Sequence, residues 1–286
     1  MKMKFSVFLG MALFAGYAQE LKASEFQSPR VAAMGGAGRA GPLSTDAIYL
    51  NPSYIPQIPL HVLSLNYINY RGAGGDYYAP TGHVLNAAFQ DGTKNSFFQA
   101  GLGYTRFTQG AMFHLGVAAE VNPNWSIGFS AKLIQPNFQY LSQIVNGSLS
   151  MTWVIAKVFR AAVIADNLLK TGLDQGLLRE VTLATKFSFG SDVSLYVDPH
   201  WYPDLGRYPD SFGLEAGFEV FLSEIICFRA GAFRNSKPNF QSQRRDGAAL
   251  GLGFVFPRTA IDYSLSRGLG KSQLGYAHNV AISVYF

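Results

Sequence analysis

The chain has 286 residues, a formal net charge of +5, 14% charged residues, 14% aromatics and 30 glycines. An average soluble domain carries about 25% charged residues, so an ordinary solvated globule fits poorly; a mean hydropathy of +0.09 is too low for a bundle of membrane helices, and the aromatic content is too high for disorder. No basic run with interleaved aromatics argues for nucleic acid, and the single cysteine, Cys227, excludes an intramolecular disulfide and any multi-cysteine metal site.

Residues 1–23 read as a secretory signal peptide. Lys2 and Lys4 precede an apolar run from Phe5 to Ala18, and small residues follow. The run is shorter than the ~20 residues a spanning helix needs. Cleavage is expected after Ala18 or Ala23, and the mature chain is expected to leave the cytoplasm.

Residues 24–58 lack strand alternation. They hold a glycine-rich turn (Gly35, Gly36, Gly38), a Ser44/Asp46 helix-start signal and a proline-punctuated exit at Pro52, Pro56 and Pro59. A phosphate-binding loop is excluded, because no strand–helix unit and no Lys-Ser/Thr follow the glycines.

From residue 59 to 286 one pattern recurs. In "NWSIGFSAKL", Trp125, Ile127, Phe129, Ala131 and Leu133 fall on one face and Ser126, Gly128, Ser130 and Lys132 on the other. Period two is the strand signature, since successive side chains point to opposite faces. The spacing predicts fourteen strands, with twelve as the lower count, at roughly 59–69, 82–90, 96–105, 111–121, 124–134, 148–156, 159–166, 180–189, 192–200, 211–221, 225–234, 247–256, 259–267 and 276–286. Connections after even-numbered strands are mostly tight; those after odd-numbered strands are mostly longer and polar. An even strand count with short turns at one rim describes an all-β, antiparallel transmembrane barrel. The physical reason is that lipid leaves no partner for an open sheet edge. Tyr67, Tyr70, Tyr104, Trp125, Trp153, Trp201, Phe256 and Phe286 are expected to form interfacial girdles.

The expected inward face carries Glu120, Lys132, Arg160, Asp166, Lys186, Glu215, Glu219, Arg229 and Asp262, with many glycines: Gly101, Gly103, Gly116, Gly128, Gly213, Gly217, Gly231, Gly251 and Gly253. A glycine weakens a strand unless its space is needed. Either a segment of the chain packs inside, or the strands kink. Asp198, His200 and Asp204 in "DPHWYPD" are the nearest approach to a reactive constellation and are expected on an outer rim turn. No enzyme chemistry and no cofactor is expected.

The stretch "AMGGAGRAGPLSTDAIYLNPSYI" resembles the N-terminal motif of the outer-membrane family of long-chain fatty acid transporters, the FadL-like barrels. Met34, Gly35, Gly36, Ala37, Gly38 and Ala40 match, as do Asp46, Ala47, Asn51 and Pro52; Ser53-Tyr54 stands where the family has Ala-Gly. The resemblance implies a fourteen-strand barrel with residues 24–58 as a hatch inside the lumen. It implies passive movement of small hydrophobic compounds, with sideways exit through a gap at a strand kink. The alternating last strand ending in Phe286 resembles the assembly signal of outer-membrane proteins. Outer-membrane lipid, the barrel-assembly machinery and a small hydrophobic ligand are the expected partners. The alternative is a structural or interaction barrel with a sealed lumen: a secretion-system partner, adhesin or wall protein.

Overall fold

Alternation sustained over so many strands leaves each strand with one greasy and one polar face, and closing the sheet satisfies both. The structure, a computed structural model, describes residues 26–71, 81–107, 110–137, 142–173, 177–205, 211–236, 246–269 and 275–286. The expected leader and parts of the longer connections lie outside these residues. The strands are β1 (His61–Arg71), β2 (Thr81–Asp91), β3 (Gln99–Phe107), β4 (Gly110–Asn122), β5 (Trp125–Pro136), β6 (Ile144–Ala156), β7 (Phe159–Asp166), β8 (Glu180–Phe189), β9 (Val193–Trp201), β10 (Phe212–Phe221), β11 (Ile226–Arg234), β12 (Gly247–Phe256), β13 (Thr259–Gly268) and β14 (Tyr276–Tyr285). They form one closed barrel in which each strand pairs with its sequence neighbours and β14 seals against β1. That seam is antiparallel from Val62 opposite Tyr285 to Arg71 opposite Tyr276. Phe286 extends it, exchanging two backbone hydrogen bonds of 3.0 Å with His61. A chain end held this way is as ordered as an interior strand.

β6 starts at Ile144 rather than 148, because Ile144, Val145, Asn146 and Gly147 pair with Ile134, Leu133, Lys132 and Ala131 of β5. Asn146-Gly147 reads as a turn, yet here Asn146 points inward and donates to the Leu169 and Thr171 carbonyls.

The alternation sorts residues as the period demands. On β1, Val62, Ser64, Asn66, Ile68 and Tyr70 are buried, while Leu63, Leu65 and Tyr67 are exposed. The same outward exposure of Leu, Ile, Val and Phe recurs on every strand, a continuous apolar belt that water would penalise and lipid accepts. Tyr104, Trp153, Trp201, Phe256 and Phe286 share it. Tyr70, expected in a girdle, is instead buried on the inward face; its even number places it with Ile68. Among the described residues no helix is long and apolar enough to cross a membrane, which says nothing of strands.

Residues 26–58 pack against the inward faces. They contain helix α1 (Pro29–Ala33), helix α2 (Asp46–Leu50) and a 3-10 turn (Pro52–Gln57). Ser28 caps α1 by accepting from the Val31 amide, and Pro29 opens it, where a missing N–H costs nothing. α1 lies against β11 to β14, α2 against β3 and β4, and the 3-10 turn against β3 to β6. Of the two explanations for the inward glycines, packing of the segment is observed at seven of the nine, while Gly213 and Gly253 lie nearest Asn235 and the Arg229–Asp262 pair. A Cβ at Gly217 would come within 2.6 Å of Met34, at Gly101 within 2.5 Å of Ile48 and at Gly251 within 2.5 Å of Ala33. At Gly231 and Gly128 it would overlap the backbone of Met34 and of Pro52-Ser53.

Candidate functional site: the filled lumen

The glycine motif is a turn in positive φ: Gly35 at 68°, Gly36 at 93° and Gly38 at 129°, a region L side chains avoid. The turn aims the amides of Gly38 and Arg39 at Asp198 Oδ2 of β9, at 2.9 and 3.0 Å. Asn51 closes the motif from its other end. Its amide donates to the Arg39 carbonyl at 2.7 Å and to Thr152 Oγ1 of β6 at 2.8 Å, and Ser53 Oγ donates to its Oδ1 at 2.5 Å. Pro52 starts the 3-10 turn. The helix-start signal holds at Asp46, although Thr45 is the residue at the N-cap and it bonds Ser64 instead of capping; Ser44 reaches Ser283 of β14 at 2.9 Å.

Two arginines that the sequence reading passed over tie this segment to the wall. Arg39, 2% exposed, meets Glu215 at 2.5 Å and Asp198 and Glu180 at 3.6 Å each. His200 stands between Glu180 (2.5 Å) and Glu215 (3.2 Å). Arg30 meets Glu219 at 3.0 Å, and Glu219 in turn meets Arg229 at 2.7 Å, which meets Asp262 at 2.5 Å. Thus Glu215 and Glu219 serve the N-terminal segment, and Arg229 joins Glu219 to Asp262. Lys132 pairs with Asp166 within the wall at 3.0 Å. Lys186 lies over the Tyr196 ring, 5.2 Å from its centroid. Such buried pairs are weak evidence of net stability, but removing one partner strands the other at ~3–5 kcal/mol.

Asp46 is buried. Burial pushes its carboxyl up to about 6, with the Arg30 charge pulling the other way. The folded chain therefore holds this proton more tightly than the unfolded one, and ionisation costs stability as pH rises through about 4 to 6, on the order of 3 kcal/mol at neutral pH. Hydrogen exchange of amides 46–51 at about pH 4 and about pH 7.5 checks this. The wild-type segment is expected to lose protection at the higher pH, and Asp46→Asn is expected to remove the difference.

The long-connection end of the lumen has a different lining. Ile68 and Tyr70 of β1, Val84 of β2, Phe107 of β3, Met112 of β4, Ile134 of β5, Ile144 of β6 and Leu177 beyond β7 are buried in one apolar cluster with Phe26 and Tyr49. Here strands are apolar on both faces. The strict alternation read from sequence predicts a polar interior, so this patch goes unseen; its signal is the switch to doubly apolar strand ends.

Asp198, His200 and Asp204 do not share an outer turn. Asp198 and His200 are buried on the inward face of β9, because the strand runs to Trp201 and carries them inside. Asp204 lies beyond the strand and accepts from Arg179 Nε at 2.9 Å. Partial burial would raise its carboxyl, but the Arg179 bonds prevail and hold it below the usual range. Among the described residues no three His, Cys, Asp or Glu side chains are arranged to hold a metal ion.

No protein-family model and no curated protein matches the chain. Among solved structures it is similar to the toluene transporter TodX of Pseudomonas putida (11% identity, 93% of this chain and 99% of that chain, TM-score 0.64). It is likewise similar to the toluene transporter TbuX of Ralstonia pickettii (12% identity, 92% and 99%, TM-score 0.62) and to a FadL homologue of Pseudomonas aeruginosa (12% identity, 92% and 99%, TM-score 0.61). At these identities the likeness is one of fold: the chain has the FadL-like, fourteen-strand barrel that its N-terminal motif implied.

Proposed function

We propose that this chain is an outer-membrane channel for passive uptake of small hydrophobic compounds, with residues 24–58 as its hatch. The observation that carries the reading is the apolar patch of Ile68, Tyr70, Val84, Phe107, Met112, Ile134 and Ile144 on the inward side of β1 to β6 at the long-connection mouth. A barrel interior built only to hold water needs no such patch; a site for an apolar solute does. The hatch rests on this patch on one side and on the Arg30 and Arg39 ion pairs on the other. Its hold on the wall is therefore polar where the lumen is polar, and a solute that displaces Phe26 and Tyr49 competes with apolar packing and with the hydrogen bond that Asn86 Nδ2 donates to the Tyr49 hydroxyl at 2.7 Å. The likeness to toluene transporters agrees with a hydrocarbon-sized solute. The reading places the mature protein in the outer membrane, exported through a cleaved signal peptide and assembled through the signal ending at Phe286.

The test is uptake of labelled toluene by cells carrying the chain. Wild type is expected to raise the rate, and Met112→Asp together with Ile134→Asp to abolish the gain while barrel assembly persists. A chain that assembles but never speeds uptake contradicts the channel and leaves a sealed interaction barrel.

A further inference from the structure

On β13, β14 and β1 no outward strand position carries an acid. At their long-connection ends these strands present Arg267, His278 and Arg71 to the outside instead. Tyr276 of β14 pairs with Arg71 of β1 on one side and with Arg267 of β13 on the other. Two strand spacings set the arginine Cβ atoms ~10 Å apart, so both long side chains can converge over the tyrosine. Both are exposed, and among the described residues neither forms an ion pair. Further along the strands His278 stands opposite Asn69, and its Nδ1 shares a hydrogen bond of 2.7 Å with the Tyr263 hydroxyl. Beyond these lies a groove of about 510 Å³ in the apolar belt, lined by Leu65, Tyr67, Ala87, Tyr104, Val280 and Ile282. Its size falls within the ~300–1,000 Å³ of small-molecule sites. Ala87 makes the hollow, because it pairs with the longer Leu65 and Tyr104. Tyr67, at the head of the groove, is ~13 Å of strand from Arg71. The short-turn rim differs: Asp91, Asp192 and Glu224 stand there among Lys94, Lys157 and Arg258, so its charges are mixed.

We infer that this face binds a phosphorylated glycolipid of the outer leaflet, with a phosphate between Arg71 and Arg267, sugar hydroxyls against His278 and Asn69, and an acyl chain in the groove over Ala87. Short turns lie on the periplasmic side of an outer-membrane barrel, which turns the arginine row to the outer leaflet. That placement rests on the outer-membrane reading and not on transport. A phosphomonoester brings nearly two negative charges and three acceptor oxygens, and each guanidinium meets them with paired donors. The phosphodiester of an ordinary phospholipid brings one charge and leaves an arginine unmatched.

Native mass spectrometry of the purified full chain in non-ionic detergent tests it. The probes are a diphosphorylated glucosamine-disaccharide lipid, its dephosphorylated form and phosphatidylglycerol. The diphosphorylated lipid is expected to bind about tenfold more tightly than either of the others. Arg71→Gln with Arg267→Gln is expected to erase that preference and leave the dephosphorylated lipid bound as before. Lys157→Gln with Arg258→Gln, at the short-turn rim, is expected to keep the preference. Ala87→Trp fills the groove and is expected to weaken both glycolipids alike. An unchanged preference in the Arg71/Arg267 variant, or an equal loss in the short-turn variant, overturns the site. Phosphatidylglycerol bound as tightly as the diphosphorylated lipid overturns the glycolipid assignment. Heat-modifiable migration confirms that each variant is folded. Phosphate-dependent lipid binding without toluene uptake keeps the site and removes the channel; uptake without phosphate preference does the reverse.

Discussion

Arg39→Gln is expected to release the N-terminal segment from the wall. Arg39 carries the positive charge that the segment presents to Glu215, Asp198 and Glu180, and its guanidinium also donates to the Gly36 carbonyl at 3.2 Å. Without it three buried carboxylates lose the guanidinium that joins them. The loss is on the order of 3–5 kcal/mol, enough to make the seated segment a minor state. The measurement is protease cleavage between residues 34 and 46 in the folded barrel, expected to be slow in wild type and fast in the variant. Arg39→Lys keeps the charge but loses the planar donors, and is expected to fall between. Equal cleavage of all three would remove the latch from the account. The barrel itself is expected to survive, because its ladder is independent of this residue.

Gly231→Val is expected to act on the same segment without touching a charge. A Cβ on β11 at this point overlaps the Met34 and Gly35 backbone, which no rotamer change relieves. Overpacking of this kind costs about 1–3 kcal/mol where neighbours can shift; here the neighbour is a turn at φ 68° and must leave. The variant is expected to assemble, migrate as a folded barrel, and show the fast cleavage of Arg39→Gln. Ala165→Val, on the outward face of β7, is expected to leave cleavage at the wild-type rate. A slow-cleaving Gly231→Val would mean that the inward glycines serve strand bending after all.

The barrel was legible because its cause is periodic and local. Leu63, Leu65 and Tyr67 face out and Ser64, Asn66 and Ile68 face in for the same reason on every strand, so the count and nearly all boundaries follow from reading alternate residues. The exceptions arise where alternation is satisfied on both faces: Tyr70 turns inward, and Ile144–Gly147 pairs despite a turn-like Asn-Gly. The motif residues were legible as a resemblance, and the positive φ of Gly35, Gly36 and Gly38 gives that motif its physical reason. The partners of Arg30 and Arg39 were not, because the contacts join residues 189 and 176 positions apart and no spacing rule encodes such a distance. His200 was misplaced for a related reason: its neighbour Asp204 reads as loop, while the strand register that buries His200 depends on β8 and β10.

The central claim is that an otherwise open barrel is closed by its own N-terminal segment. Single-channel conductance in planar bilayers of the full chain, and of a chain lacking residues 26–58, tests it most directly. The account predicts a full chain that is closed or only briefly open, and a shortened chain with a steady, large conductance. Equal conductance in the two, whether both silent or both open, would contradict it.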